Sequence, residues 1–144
     1  MCGRFSLRTP ASQVAEAFGV LPFADLQPRY NIAPSQPVAV VRHAQRELAL
    51  LKWGLVPSWA DDPAIGYKMI NARGETVATK PSFRKAFKVR RCLVVADGFF
   101  EWQKTEGKKQ PHYIRLKHDG PFAFAGLWEH WAREGQEIDS CRRQ

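Results

Sequence analysis

The stretch Cys92-Leu93-Val94-Val95-Ala96-Asp97-Gly98-Phe99-Phe100-Glu101-Trp102-Gln103-Lys104 decides the fold, because two strand-like runs follow one another in it. Residues 92–96 and 99–104 are dominated by β-branched, aromatic and other apolar side chains, which is typical of strands. Downstream, the sequence predicts two more strands, His112–Leu116 and Phe122–Trp128, with turns at Glu106–Lys109 and His118–Gly120. Strands joined by such short turns indicate a largely antiparallel sheet.

Upstream, the sequence predicts a β-hairpin and a few short helices. Val38–Arg42 and Leu48–Trp53 are apolar runs separated by His43–Glu47. The other predicted elements are a helix capped by Thr9 or Ser12 and ending near Gly19, a proline-rich loop over Leu21–Pro37, and weaker helices over Glu75–Lys80 and Pro81–Phe87. This order lacks regular βαβ alternation, so it predicts an α+β fold: one domain over residues 1–144 whose sheet curls or closes into a barrel.

Composition narrows the class of protein. The chain has 144 residues, of which 44% are hydrophobic, and this fraction excludes a disordered chain. It has no apolar run long enough to span a membrane and no signal peptide, so we expect a soluble, cytoplasmic protein. Separately, we expect it to be a monomer. Its three cysteines form neither a disulfide framework nor a CxxC pair, and we predict no metal and no cofactor.

The charge predicts a polyanionic partner. The formal net charge is +8, and six cations, including Arg84, lie between Lys80 and Arg91 with no acidic residue among them. The chain also has five Trp, three Tyr and nine Phe residues, several of them in loop-like stretches. Rings that stack on unpaired bases, beside cations that contact phosphates, favour single-stranded DNA. A solvated helix face and ordinary core packing are the structural alternatives for these cations and rings.

Cys2 is the candidate nucleophile. Removal of Met1 would leave an α-amine with a pKa of about 7.7–8.0 beside a thiol with a pKa of about 8.5, so both groups are partly unprotonated near neutral pH. The amine can condense with an aldehyde to form a Schiff base, and the neighbouring thiolate can then close a thiazolidine ring on the same carbon. A cysteine at this position through chance alone is the alternative.

Two other segments carry polar groups suited to chemistry. The segment Met69–Thr76 contains Asn71, Arg73 and Glu75, which can orient a sugar, clamp a phosphate and cap a helix. Glu101 lies within an apolar, aromatic strand, where desolvation is expected to raise its pKa toward that of a useful general acid or base. A strand glutamate that faces water is the alternative.

Together these segments resemble the SRAP domain, the SOS-response-associated peptidase family that includes abasic-site shield proteins. The resemblance runs from Met1 to about Cys141. It is carried by Met1–Phe5, Tyr30–Pro34, Trp53–Trp59, Ile70–Arg73, Arg90–Val94, Ala96–Trp102 and Ala125–Glu129. It implies that the protein binds single-stranded DNA and captures abasic sites through a Cys2 thiazolidine crosslink during the DNA damage response.

The resemblance also implies roles for individual residues. Asn71 would hold the deoxyribose and Glu101 would transfer protons. Arg4 and Arg73 would bind flanking phosphates, and Trp59 would support the separated strand. The family continues into a His-x-Arg-Met-Pro-like segment that the sequence up to Gln144 does not contain, so we expect a domain without its C-terminal part. None of the four histidines of the sequence, His43, His112, His118 and His130, lies in a stretch that matches that motif.

Three alternatives remain. The first is a remnant that binds single-stranded DNA without catalysis, for which the net positive charge and the aromatic side chains are sufficient. An N-terminal-nucleophile cysteine hydrolase also begins with Met-Cys-Gly, but the other segments do not resemble that class. A cysteine peptidase lacks a matched histidine partner, so we expect proteolysis to be limited to loss of Met1.

Overall fold

Nine strands and four short helices form the part of the chain that the computed structural model describes, residues 2–22, 26–42 and 44–144. The strands are β1 (Arg4–Leu7), β2 (Arg29–Ile32), β3 (Pro37–Arg42), β4 (Glu47–Trp53), β5 (Arg91–Ala96), β6 (Gly98–Thr105), β7 (Lys108–Ile114), β8 (Phe122–Arg133) and β9 (Gln136–Arg143). The helices are α1 (Ala11–Phe18), a 3₁₀ helix (Pro63–Lys68), α2 (Gly74–Val77) and α3 (Arg84–Val89).

The strands form a sheet and a barrel. The four-stranded sheet has the order β2-β1-β6-β7, and the closed barrel has the order β3-β4-β9-β8-β5. β9 closes the barrel, because it pairs antiparallel with β8 and parallel with β4 through Lys52–Ser140 and Trp53–Cys141. β1 lies inside the sheet, between β2 and β6. The residues just before β1 are therefore held at the centre of the molecule's N-terminal sheet.

Aromatic packing joins the sheet to the barrel. Phe5 of β1 is fully buried, and its ring makes edge contacts with Trp53 at 5.0 Å and with Phe124 at 6.0 Å between centroids. Trp53 belongs to β4 and Phe124 to β8, so both partners are barrel residues. This contact fixes the position of β1, and with it the position of Cys2 three residues earlier.

A buried carboxylate anchors the other end of β1. Asp97 is 1% exposed and accepts hydrogen bonds from the Ser6 hydroxyl at 2.6 Å, the Arg8 amide at 2.6 Å, and the Thr9 amide and hydroxyl at 2.8 and 2.9 Å. Burial raises the pKa of Asp97, but these hydrogen bonds outweigh it and leave the pKa below its usual value. The backbone after β1 is thus fixed by one side chain.

The predicted α+β class and the antiparallel strands are confirmed, including the β3–β4 hairpin. The prediction that Leu21–Pro37 is only a loop is wrong, since β2 lies within it and pairs with β1. The predicted helix caps are also wrong: α1 follows Pro10 without a side-chain cap, and the Thr9 hydroxyl binds Asp97 instead. β1 and β9 were not predicted. Parts of the predicted loop and hairpin turn, Phe23–Asp25 and His43, lie outside the described residues, as does Met1.

Candidate functional site

Cys2 lies at a junction between the sheet and the barrel. Its carbonyl oxygen accepts a hydrogen bond from Asn71 Nδ2 at 3.4 Å and another from Arg143 Nη2. Its thiol donates to the Arg4 carbonyl at 2.7 Å. Cys2 is 3% exposed, so its backbone and its thiol are both held by neighbouring groups.

Asn71 reaches Cys2 because the end of β9 fixes its segment of chain. Asn71 forms an isolated parallel bridge with Arg143, and the Ala72 amide donates to the Arg143 carbonyl at 2.8 Å. The Trp53 indole donates to the Ile70 carbonyl at 2.9 Å. The side-chain oxygen of Asn71 is buried and has no hydrogen-bond partner among the described residues. This oxygen is a free acceptor beside Cys2.

Arg143 is a cation that the sequence analysis missed. It is 5% exposed, and its guanidinium lies 4.3 Å from the centre of the Phe124 ring and 5.7 Å from that of Trp53. Burial lowers its pKa, while the nearby Cys2 and Glu101 side chains act in the opposite direction. Arg143 therefore lies within electrostatic reach of both Cys2 and Glu101.

Two consecutive arginines are buried on opposite faces of β9. Arg142 is packed over the Phe83 ring at 3.8 Å, in the cluster beneath α3, and burial lowers its pKa to about 10. Arg143 points instead toward Cys2. Strand alternation explains the opposite directions, but two adjacent arginines look solvent-exposed in sequence. Only the pairing of β9 with β4 and β8 reveals where they lie.

Arg4 and Glu101 flank this centre. Arg4 is exposed, pairs with Phe100 across β1 and β6, and donates to Asn31 Oδ1 at 3.2 Å. Glu101 follows Phe100 on β6 and is half-buried, and its charge opposes the lowering of the Arg143 pKa by burial. The structure thus brings four sequence-predicted residues, Cys2, Arg4, Asn71 and Glu101, to one region.

The other three predicted residues are exposed on the surface. Trp59 is in the loop after β4 and is 61% exposed, Arg73 immediately precedes α2, and Arg84 is the first residue of α3. Among the described residues, no hydrogen bond or ion pair joins any of the three to Cys2. Their roles as DNA contacts stay predictions.

The other cysteines and the histidines have different surroundings. Burial raises the pKa of Cys92 to about 12 and that of Cys141 well above its usual value, so both thiols are protonated at neutral pH. His112 pairs with Gln103, and His130 pairs with Asp139. Within the described ranges, His, Cys, Asp and Glu side chains form no group of three placed to hold a metal ion, and no helix is long and apolar enough to cross a membrane.

Comparison with known proteins gives consistent matches. Residues 1–142 match the family model described as SOS response associated peptidase (SRAP). The chain is 45% identical to the abasic site processing protein YoqW of Bacillus subtilis, over 98% of this chain and 66% of that protein. It is 33% identical to the abasic site processing protein YedK of Escherichia coli, over 96% of this chain and 64% of that protein.

A solved structure shows the same fold. The crystal structure of a protein from Bacteroides thetaiotaomicron superposes with a TM-score of 0.89 at 28% identity, covering 98% of this chain and 66% of that one. The chain therefore spans slightly less than two thirds of the length of YoqW and YedK.

Proposed function

Because the chain belongs to the SOS response associated peptidase family, we propose that it captures abasic sites in single-stranded DNA through a covalent bond to Cys2. This proposal rests on the hydrogen bonds that Asn71 and Arg143 donate to the Cys2 carbonyl. They hold Cys2 beside the side-chain oxygen of Asn71, which has no partner among the described residues. The names of YoqW and YedK as abasic site processing proteins support the substrate class.

The proposed reaction uses both nucleophiles of Cys2. Hydrolysis of the Met1–Cys2 bond frees the α-amine, which attacks the aldehyde of the ring-opened sugar and loses water to give an imine. The thiol sulfur then adds to the imine carbon, and the thiol proton passes to the nitrogen, which closes the thiazolidine ring. No oxidant or reductant takes part. Holding the amine and the thiol on one fixed residue makes the ring closure effectively unimolecular.

The neighbouring residues have complementary roles in this proposal. The free Asn71 oxygen accepts a hydrogen bond from a sugar hydroxyl, and Glu101 transfers protons during ring opening and imine formation. Arg4 and Arg73 neutralise flanking phosphates, while the exposed Trp59 and Arg84 support the strand. Arg143 stabilises negative charge at Cys2 and Glu101. The protein acts as a monomer in the cytoplasm, at the nucleoid during repair.

The burial of Cys2 favours a second candidate, a DNA-binding module without covalent chemistry. The thiol is 3% exposed and donates to the Arg4 carbonyl, so capture requires it to leave this hydrogen bond. A cysteine peptidase is less well supported, because two of the histidines, His112 and His130, hydrogen-bond to Gln103 and Asp139 and not to Cys2.

Intact-mass analysis tests the proposal. The protein is incubated with a single-stranded oligonucleotide carrying one abasic site, an undamaged oligonucleotide, or an abasic site in duplex DNA. We expect an adduct only with the single-stranded abasic oligonucleotide, at the mass of the Met1-free protein plus the oligonucleotide minus one water. Cys2→Ala abolishes the adduct, whereas Cys92→Ala, which removes a buried thiol outside the site, keeps it.

DNA binding without an adduct by protein that has lost Met1 would refute covalent capture and leave the binding module. Equal adduct formation on duplex and single-stranded DNA would refute the strand preference. Affinity should fall with salt, because each neutralised phosphate of a single strand contributes about −0.7 to the slope of log K against log salt concentration.

A further inference from the structure

A polar pocket lies on the outer face of the four-stranded sheet and is not part of the Cys2 centre. Its volume is about 390 Å³, and Ser6, Tyr30, Phe100 and Tyr113 line it together with two arginines. Phe5 and Leu7 of β1 point into the core, so the alternating residues Arg4 and Ser6 point to the opposite face. The pocket therefore shares its face of β1 with Arg4.

The side chains that line the pocket include two arginines and one carboxylate and so carry a net positive charge, while the Asp97 carboxylate behind Ser6 is occupied by four hydrogen bonds. Arg8 and Arg115 both bind the carboxylate of Asp119, at 2.5 and 2.9 Å. One carboxylate faces two guanidinium groups, and each guanidinium has five N–H donors. Both arginines are partly exposed, so most of these donors can turn to a second anion. A phosphate matches this planar, forked donor geometry.

The walls of the pocket are aromatic and well fixed. Tyr113 covers Gly98, where an added Cβ would lie 2.1 Å from the phenol oxygen, and this oxygen bonds to the Ser6 hydroxyl at 2.7 Å. Phe100 packs against Tyr113 at 5.0 Å between ring centres. Tyr30 is 67% exposed at the rim and offers a free ring face. The pocket thus combines phosphate donors with a surface on which a base can stack.

We propose that this pocket binds one nucleotide of the single strand held at Cys2, with its phosphate at Arg8 and Arg115 and its base against Tyr30. The identity of the strand rests on the proposed function. Arg4 lies between the two sites in sequence and contacts Asn31, the neighbour of Tyr30. Cys2 and Ser6 are four residues apart, at most about 13 Å in extended chain. About four stacked nucleotides span that distance at roughly 3.4 Å each.

Fluorescence anisotropy with undamaged oligonucleotides of graded length tests the pocket without crosslinking. The double variant Arg8→Gln/Arg115→Gln should weaken binding and flatten the salt slope by roughly 0.7, the contribution of one phosphate. Tyr30→Ala should weaken binding by roughly 5- to 150-fold and leave the slope unchanged. Lys104→Gln/Lys109→Gln is the control, because it removes two exposed charges of the same sheet at the far end of the β6–β7 hairpin. It should change the slope by less than the arginine variant does.

If the arginine and lysine variants change the DNA affinity and the salt slope equally, the pocket proposal is refuted and the effect is one of nonspecific charge. If dTMP binds and its binding is weakened by the same substitutions, but the oligonucleotides do not bind, the ligand of the pocket is a free nucleotide. This result would also refute the proposal. The two proposals can fail separately. If an adduct forms but the pocket variants bind DNA as the wild type does, only the pocket proposal is refuted. If the pocket variants bind more weakly but the wild type forms no adduct, only the proposal of covalent capture is refuted.

Discussion

Replacing Asp97 with alanine should destabilise the protein by about 3 kcal/mol. The carboxylate accepts two backbone and two hydroxyl hydrogen bonds, and bonds to a charged group contribute about 1.5–3 kcal/mol each when fully buried. Arg8 and Thr9 are half-exposed, so water can reach their amides, and we assign about 1 kcal/mol to each backbone bond. The hydroxyl bonds contribute about 0.5 kcal/mol each, because Ser6 keeps the Tyr113 hydroxyl as a partner.

Urea unfolding at pH 7 measures this loss. The matched control is Asp119→Asn, which removes the charge of a carboxylate that makes only exposed ion pairs with Arg8 and Arg115 and keeps a side chain suited to the positive φ of 56° at this position. Such pairs contribute about 0–1 kcal/mol, so the control should unfold close to the wild type. Equal midpoints for Asp97→Ala and the wild type would refute the anchoring role of Asp97, and so would equal losses for the two variants.

Three further predictions concern titration, the site and the buried thiols. The pKa of Asp97 is lower in the folded protein than in the unfolded chain, where it is about 3.9. The ionised Asp97 therefore contributes its full stabilisation of the fold at a pH above about 3.9, and this contribution is lost as the pH falls through the pKa of the folded state. The stability difference between the wild type and Asp97→Asn should therefore shrink from pH 5 to pH 2.5 in urea titrations, and a constant difference would contradict the assignment. Arg143→Gln should slow adduct formation by roughly tenfold, which is equivalent to the loss of one buried hydrogen bond of about 1.4 kcal/mol. The control is Arg142→Gln, because Arg142 is equally buried but faces Phe83, and this variant should affect thermal stability more than the rate. Equal rate losses in the two variants would argue against a specific role of Arg143. Iodoacetamide at pH 8 should leave Cys92 and Cys141 unmodified in the folded protein and alkylate them in urea, as peptide mass spectrometry can show, because burial raises both pKa values.

Local patterns were enough to predict the middle of the fold. The apolar runs around Val38, Leu51, Val94 and Phe124 show their strand character in their own composition, and most of them pair with a neighbour in sequence, as in β3–β4 and β8–β9. β1, β2 and β9 escaped prediction for different reasons. β1 is four residues long, β2 lies among prolines, and β9 is mostly polar with two arginines, so their strand character depends on partners distant in sequence.

The site was predicted in part, for a related reason. Cys2, Asn71 and Glu101 carry chemistry in their own side chains, and sequence alone can single out such groups. Arg143 could not be identified in this way, because its importance comes from burial beside Cys2, 141 positions away in the chain. Likewise, the pocket at Arg8 depends on Tyr113 crossing Gly98, which no short motif encodes.

The closure of the barrel by its last strand sets an order of events during synthesis. β4 and β8 have no β9 between them until residues 136–143 have left the ribosome, and the Cys2 carbonyl gains its contact with Arg143 only then. The Cys2 carbonyl therefore lacks this contact until those residues have been synthesised. Pairings this remote in sequence are typical of domains that fold in milliseconds to seconds. The surroundings of Cys2 are thus completed by residues that are synthesised more than a hundred positions after it.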